Sequence, residues 1–263
     1  MDRLRFFLVF IIGCVVYFYI DIQFFSFFQR EITSLTQSKV LGHFLTYALT
    51  SIPLFATVAI LYKSSENLFL KLGLSKNLWI GFAFAFASTL PMLIAYAIKF
   101  DINYKISADT LIINTISAAF FEEIIYRAFL FGMIYRCTRL GFLPSVFSAS
   151  LLFGIAHLYQ STDFNELIGI FLVTFFGSVL FSWIYVEWKF NLWTAIFLHC
   201  LMNLYWLVFD ADQNALGGTY ANIFRFSILF LAIIITIAFK KKKQIPLAIH
   251  GKNWWLKPFT SCG

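Results

Sequence analysis

The most informative stretch of the chain reads Phe121-Glu122-Glu123-Ile124-Ile125-Tyr126-Arg127. It places two adjacent carboxylates and a guanidinium inside an apolar run, Leu111–Tyr135, that is long enough to cross a bilayer as a helix. Ionisable groups at membrane depth are costly because little water solvates them there, so they usually mark function. The stretch therefore predicts a membrane-spanning helix with a functional site inside it.

Helical spacing separates the roles of the two glutamates. Adjacent residues of a helix point about 100° apart, whereas residues four apart share one face. We therefore expect Glu123 and Arg127 to pair along the helix, as a self-neutralising pair that fixes helix packing. Glu122 points elsewhere, and its carboxylate stays uncommitted.

The composition excludes a soluble domain. Of the 263 residues, 60% are hydrophobic and 13% are charged, and the mean hydropathy is +0.80. A soluble fold needs more polar surface than this chain can supply. The net charge of +7 does not require nucleic acid, because its largest block, Lys240–Lys243, follows an apolar helix and can face anionic headgroups. We expect one integral membrane domain over residues 1–263 that interacts with the lipid bilayer and binds no nucleic acid.

Eight apolar segments predict an all-α, polytopic membrane helix bundle. Most of them reach the ~17–25 residues that a tilted spanning helix needs. Their approximate bounds are Leu4–Ile20, Leu41–Tyr62, Leu78–Ile98, Leu111–Tyr135, Leu143–Leu158, Leu167–Trp188, Leu192–Phe209 and Ile223–Phe239.

The distribution of basic residues predicts the orientation. With eight spans and the N-terminus inside, 14 of the 20 lysines and arginines fall in cytoplasmic segments and four in outer loops. Such a bias places both termini in the cytoplasm. Residues 240–263 then form a basic cytoplasmic tail with Trp254 and Trp255 as interfacial anchors. The short apolar stretch Asn67–Leu74 is also expected to lie at the interface.

Three of the other polar residues inside predicted spans lie at a depth similar to that of Glu122. His157 falls in the fifth segment, and His199 and Asn203 share one face of the seventh because they are four residues apart. Taken singly, such residues are typical of hydrogen bonds between membrane helices. At ~1.5 Å per residue, however, they and Glu122 all lie roughly 14–21 Å from the cytoplasmic ends of their helices. Convergence of three helices at one depth indicates a site.

These residue types support activation of water. A partly desolvated Glu122 carboxylate can act as a general base, and the neutral imidazole of His157 can hold the same water. His199 and Asn203 can donate hydrogen bonds to an oxyanion. Hydrolysis of a peptide bond fits this set. The four cysteines show no metal-ligand spacing, and no serine or cysteine lies in a recognisable nucleophile motif.

The polar positions resemble the motifs of a known family, the CPBP intramembrane proteases. That family comprises CAAX-processing proteases and their bacteriocin-processing and immunity relatives. The similarity covers about Phe121 to Asn203, and the motifs occur in the expected order on separate predicted helices. They are Glu122-Glu123-x-x-x-Arg127, Phe153-x-x-x-His157 and His199-x-x-x-Asn203.

The resemblance implies a four-helix catalytic core within residues 108–209. In that core Glu122 would activate water with help from His157, while His199 and Asn203 would form the oxyanion site. The other two residues of the first motif, a glutamate and an arginine, would be structural, in agreement with the pairing expected above.

The family has been described both as metalloproteases and as metal-free, glutamate-dependent enzymes. Glu122, His157 and His199 can together form a His/His/carboxylate zinc site with an open position. The soluble zinc-protease motif HExxH is absent. We expect no required metal, with zinc as the alternative.

The leading hypothesis is an intramembrane endopeptidase of the bacterial plasma membrane that cuts a membrane-associated peptide or protein. We expect a cavity among the fourth, fifth and seventh segments, open to the cytoplasmic side, to bring water to the site. The alternative from another class is a non-proteolytic scaffold or bacteriocin-immunity protein. A transporter is disfavoured, because no pair of Gly/Pro-broken helices occurs in corresponding halves.

Overall fold

The chain folds into a bundle of helices in the computed structural model, which describes residues 3–62 and 68–258. In that part of the chain the extended pairing is limited to one isolated bridge between Leu140 and Leu256. The helices are α1 (Arg3–Thr36), α2 (Lys39–Thr50), α3 (Ile52–Tyr62), α4 (Leu68–Leu72), α5 (Leu78–Lys99), α6 (residues 108–137), α7 (Phe142–Ala156), α8 (Phe164–Glu187), α9 (Leu192–Val208) and α10 (Thr219–Lys242).

Six stretches in the described residues are long and apolar enough to span a membrane. They are Leu4–Thr36, Lys39–Tyr62, Leu78–Lys99, Phe142–Gln160, Phe164–Glu187 and Thr219–Lys242. The two other predicted spans correspond to α9, which is apolar but shorter, and to α6, which is interrupted and carries charges. The protein is therefore an integral, polytopic membrane helix bundle, as predicted.

The first helix is longer than the sequence suggested. We expected it to end near Ile20, because Asp21 and Gln23 interrupt the apolar pattern, but α1 continues to Thr36. The polar side chains do not break the backbone ladder, and neither proline nor glycine follows within the helix. The helix ends before Gln37, whose φ of 54° is incompatible with a continuing right-handed helix.

The expected position of the stretch Asn67–Leu74 at the membrane interface stays a prediction. Its first residue, Asn67, lies outside the described residues, and α4 buries Leu72 while Phe69 is exposed. The following Gly73 has a φ of +86°, and a Cβ at this position would lie 2.1 Å from the Phe190 carbonyl oxygen. Only glycine allows this close approach of the two backbones.

The chain that follows α10 packs against the bundle through hydrogen bonds. Helix α10 extends to Lys242, so the first lysines of the predicted tail belong to the helix. The buried carboxylate of Glu187, the last residue of α8, pairs with Lys240 and accepts hydrogen bonds from the backbone N–H groups of Ala248 and Ile249 at 2.9 and 2.8 Å. Residues 259–263 lie outside the described part.

This junction gives a stability prediction. We expect Glu187→Gln to lower the thermal unfolding midpoint in detergent, because a buried ammonium loses its counter-charge at a cost of about 3–5 kcal/mol. The matched control is Glu31→Gln, since the Arg30–Glu31 pair is exposed and such pairs contribute about 0–1 kcal/mol. Equal midpoints for the two variants would contradict this role of Glu187.

Candidate active site

The backbone of α6 departs from a regular α-helix on both sides of Glu122. Two π-helical segments, Ile113–Ser117 and Glu123–Phe131, enclose the short α-helical segment Ala118–Glu122. Such widened turns are rare and occur often at functional sites. Glu122 and Glu123 therefore lie on opposite sides of a change in helical pitch, a feature that the sequence did not reveal.

The Glu123 carboxylate joins two helices inside the bundle. Its Oε2 lies 3.0 Å from Arg127 Nε, and its Oε1 accepts a hydrogen bond of 2.8 Å from His199 Nδ1 on α9. The side chains of Glu123 and Arg127 are 0% and 1% exposed. The predicted ion pair is confirmed. Glu123 also connects α6 to α9 through His199, a contact between helices that helical spacing alone could not indicate.

The guanidinium of Arg127 is enclosed by aromatic rings. Its Cζ lies 4.2 Å from the ring centre of Phe153 and 5.3 Å from that of Phe181. Contacts of a cation with a ring face are strengthened when the cation is desolvated. Arg127 is thereby held against α7 and α8 while it neutralises Glu123.

His199 presents its second ring nitrogen to Glu122. Because a carboxylate only accepts hydrogen bonds, Nδ1 must carry the proton in the contact with Glu123. Nε2 then lies 3.9 Å from Glu122 Oε2. That oxygen is buried and has no hydrogen-bond partner among the described residues, although the whole Glu122 side chain is 20% exposed. Glu122 is thus the uncommitted carboxylate that the sequence predicted.

His157 lies just beyond the end of α7, whereas we had expected it to lie inside the helix. The helix ends at Ala156, and His157 Nδ1 donates a 2.8 Å hydrogen bond to the Phe153 carbonyl, one helical turn back. A carbonyl oxygen only accepts, so Nε2 is left with its lone pair when the ring is neutral. The Phe153 ring lies beside both histidines, with centroid distances of 4.4 Å to His157 and 6.5 Å to His199.

Asn203 is anchored by the irregular backbone of α6. At the end of the first π-helical segment, the N–H of Ala118 donates to the carbonyl oxygens of Ile113 and Thr115. It does not bond to the carbonyl oxygen of Asn114. The Asn114 carbonyl instead accepts a 2.9 Å hydrogen bond from Asn203 Nδ2. One N–H of the Asn203 amide is thereby used, and the other remains available. Sequence reasoning missed Asn114, because the pattern of apolar residues does not reveal a π-helical turn.

One cavity of about 440 Å³ brings the four predicted site residues together. Glu122, His157, His199 and Asn203 all line it. The expected cavity among the helices that carry these residues is therefore present, and α8 and α10 also contribute to its wall.

The cavity reaches the end of the bundle at which α8 begins. Its lining includes Tyr159 and Gln213, from the loops that follow α7 and α9. These loops meet at the start of α8, through a 2.7 Å hydrogen bond from Ala215 N to Gln160 Oε1. The lysine-rich end of α10 packs at the other end of α8, on Glu187. The cavity thus reaches the end of the bundle opposite the lysine-rich end of α10, whereas we expected it to open on the side of the termini, and the orientation in the membrane stays a prediction.

The residues suggested for zinc do not form a ligand set. Within residues 3–62 and 68–258, no group of three or more His, Cys, Asp or Glu side chains is arranged to hold a metal ion. As placed here, Glu122, His157 and His199 do not form such a group, and the expectation that no metal is required stays a prediction.

The two adjacent glutamates should differ sharply in their effect on stability. We expect Glu123→Gln to destabilise the protein by about 3–5 kcal/mol, because the buried Arg127 loses its counter-charge. We expect Glu122→Gln to change stability by less than ~1 kcal/mol, because this carboxylate forms no close pair and is partly exposed. Thermal unfolding midpoints in one detergent provide the measurement. Similar losses in both variants would be the contrary result.

Comparison with known proteins identifies the same part of the chain as the three sequence motifs. Residues 106–205 match the family described as Type II CAAX prenyl endopeptidase Rce1-like, and this range contains the four predicted site residues Glu122, His157, His199 and Asn203. The chain is also similar to the putative membrane peptidase YdiL of Bacillus subtilis (strain 168), with 30% identity over 102 residues. That alignment covers 39% of this chain and 37% of the relative. No solved structure matches the chain significantly. The family resemblance drawn from the three motifs is confirmed over this segment.

Proposed function

We propose that the chain is an intramembrane endopeptidase that hydrolyses a peptide bond of a membrane-associated peptide or protein. The observation that carries the proposal is the meeting of Glu122, His157, His199 and Asn203 in one cavity, with a Glu122 oxygen that has no hydrogen-bond partner in the described residues. The similarity of residues 106–205 to a peptidase family supports the same reaction class.

Glu122 acts as the general base in the proposed reaction. A water molecule is held between its free oxygen and the Nε2 lone pair of His157, which the Phe153 carbonyl keeps oriented through Nδ1. As the water oxygen attacks the peptide carbonyl carbon, Glu122 takes a proton from the water. A positioned base of this kind contributes typically about 10²–10⁴-fold to the rate.

His199 and Asn203 stabilise the negative charge that develops on the carbonyl oxygen. Asn203 donates its second amide N–H, since its first is used by Asn114. His199 donates through Nε2 in its doubly protonated form, in which Nδ1 remains on Glu123. When the tetrahedral intermediate collapses, the C–N bond breaks and the departing nitrogen takes the proton that Glu122 received.

The proposed reaction uses no resident metal. Glu122 supplies the base and the His199–Asn203 pair supplies the hydrogen-bond donors, so each step is assigned to a side chain of the chain itself. These four residues lie within the proposed catalytic core, residues 108–209.

The proposed orientation keeps both termini in the cytoplasm of a bacterial cell, because the charge bias and the lysine-rich end of α10 favour it. The cavity then opens toward the outer side of the plasma membrane, and cleavage is proposed in that half of the bilayer. Exposed Phe176 of α8 and Phe226 of α10 also line the cavity, which suits an apolar substrate segment arriving from the lipid.

The test compares wild type, Glu122→Gln and a deletion strain by quantitative membrane and secreted peptidomics, at equal protein abundance. We expect peptide termini that are present in wild type and lost in both Glu122→Gln and the deletion. Asp101→Asn is the matched control, because it removes an exposed carboxylate from a loop outside the cavity.

Matching peptide profiles in wild type and Glu122→Gln would overturn the proposal. If the deletion alone then changed the phenotype, the protein would act as a non-proteolytic scaffold or immunity protein, with its polar residues serving to hold the helices together.

A further inference from the structure

Two arginines are buried among the described residues, Arg127 of α6 and Arg225 of α10, and only Arg127 forms an ion pair. Arg127 is neutralised by Glu123. Arg225, in α10, is 7% exposed, and no carboxylate of the described chain lies within ion-pair distance of it. An uncompensated charge in a membrane helix is costly and usually marks function. We therefore expect the buried charge of Arg225 to be balanced by an anionic group outside the chain.

The contacts that hold Arg225 fix its position without neutralising it. Its Nη1 donates a 2.6 Å hydrogen bond to the Ala215 carbonyl, and its Cζ lies 4.1 Å from the centre of the Trp206 ring. The backbone at Gly217, with a φ of +71°, lies so close to Trp206 that a Cβ at this position would be 2.4 Å from the indole ring. One face of the guanidinium is thus covered by the ring, and the loop takes one of its five N–H donors.

The remaining side of Arg225 faces the same cavity as Glu122, and both residues line it. Asp212 also lines the cavity and attracts the guanidinium electrostatically, but its Oδ1 accepts a 2.7 Å hydrogen bond from Gln213 N and it forms no ion pair with Arg225. The surrounding wall includes the apolar Phe226 and Leu229. A pocket with apolar walls and one oriented guanidinium suits an apolar ligand that carries one anionic group.

We propose that Arg225 is a specificity residue that binds a carboxylate of the substrate peptide while the scissile bond lies at Glu122. The carboxylate is either the C-terminus of the peptide or an Asp/Glu side chain. A guanidinium fork matches both oxygens of a carboxylate, and a charge-assisted bond of this kind is strengthened away from water. The inference rests on the proposed peptidase function and adds the chemistry by which the cavity selects its substrate.

Binding of three short peptides tests the inference independently of cleavage. The protein carries Glu122→Gln, so that the peptides are not cut, and is reconstituted in phosphatidylcholine nanodiscs. The probes are acetyl-Leu-Phe-Leu with a free C-terminus, the same peptide as a C-terminal amide, and acetyl-Leu-Phe-Glu amide. Calorimetry gives the dissociation constants. We expect at least one of the two carboxylate peptides to bind ~10-fold or more tightly than acetyl-Leu-Phe-Leu amide, which corresponds to about 1.4 kcal/mol.

Variants at Arg225 assign the preference to this side chain. We expect Arg225→Gln to abolish the advantage of the carboxylate peptides, and Arg225→Lys to keep a reduced advantage because a point charge replaces the fork. Lys105→Gln is the matched control, since it removes an exposed positive charge from a loop outside the cavity, and it should leave the preference unchanged. If Arg225→Gln does not fold, the ratio measured for Arg225→Lys decides.

The outcomes separate the possible ligands. Preference for the free C-terminus identifies an end-reading site, and preference for the glutamate peptide identifies a side-chain site; both support the inference. Equal binding of carboxylate and amide peptides, or a preference that persists in Arg225→Gln, overturns it. Loss of the preference in phosphatidylglycerol nanodiscs, with an Arg225-dependent release of that lipid, would assign Arg225 to a headgroup phosphate and also overturn it. A carboxylate preference without Glu122-dependent cleavage in cells would refute the peptidase and not the binding site.

Discussion

The contact between Glu123 and its two cationic or proton-donating partners, Arg127 and His199, is the constraint on which the site depends. At zero exposure an ionised carboxylate is stable only when opposite charge and hydrogen bonds replace its lost hydration. Arg127 supplies the charge along the same helix, and His199 supplies the hydrogen bond from α9. This contact sets the depth of one helix against the other, so the position of His199 relative to Glu122 follows from the packing of Glu123.

The bundle divides its charged groups into those that are satisfied and those that face the cavity. Glu123, Arg127 and the Glu187–Lys240 pair are buried and neutralised, and they stabilise helix contacts. Glu122 and Arg225 line the cavity; the nearest basic group to Glu122 is His199 Nε2 at 3.9 Å, and Arg225 forms no ion pair in the described chain. Because an unsatisfied charge costs stability, the protein retains such groups where a substrate or water can interact with them.

Helical periodicity accounts for what the sequence predicted well. A spacing of four residues was enough to pair Glu123 with Arg127, and the length of apolar runs identified six spans that the structure confirms. Contacts between helices were harder to predict from the sequence. The hydrogen bond from Asn203 to Asn114 depends on a π-helical turn, and His157 lies outside the helix expected to contain it. The end of the bundle that the cavity reaches was not predicted, because charge counts indicate which loops share a side but not where the helices separate.

The central claim is that Glu122 performs the chemistry while Glu123 holds the site, and single-turnover kinetics with purified protein tests it most directly. The substrate is a peptide whose cleavage depends on the chain in cells, and the comparison is wild type against Glu122→Gln at equal unfolding midpoints. The account predicts a cleavage rate lower by about 10²-fold or more in the variant, with substrate affinity retained. A rate within a few-fold of wild type would contradict it.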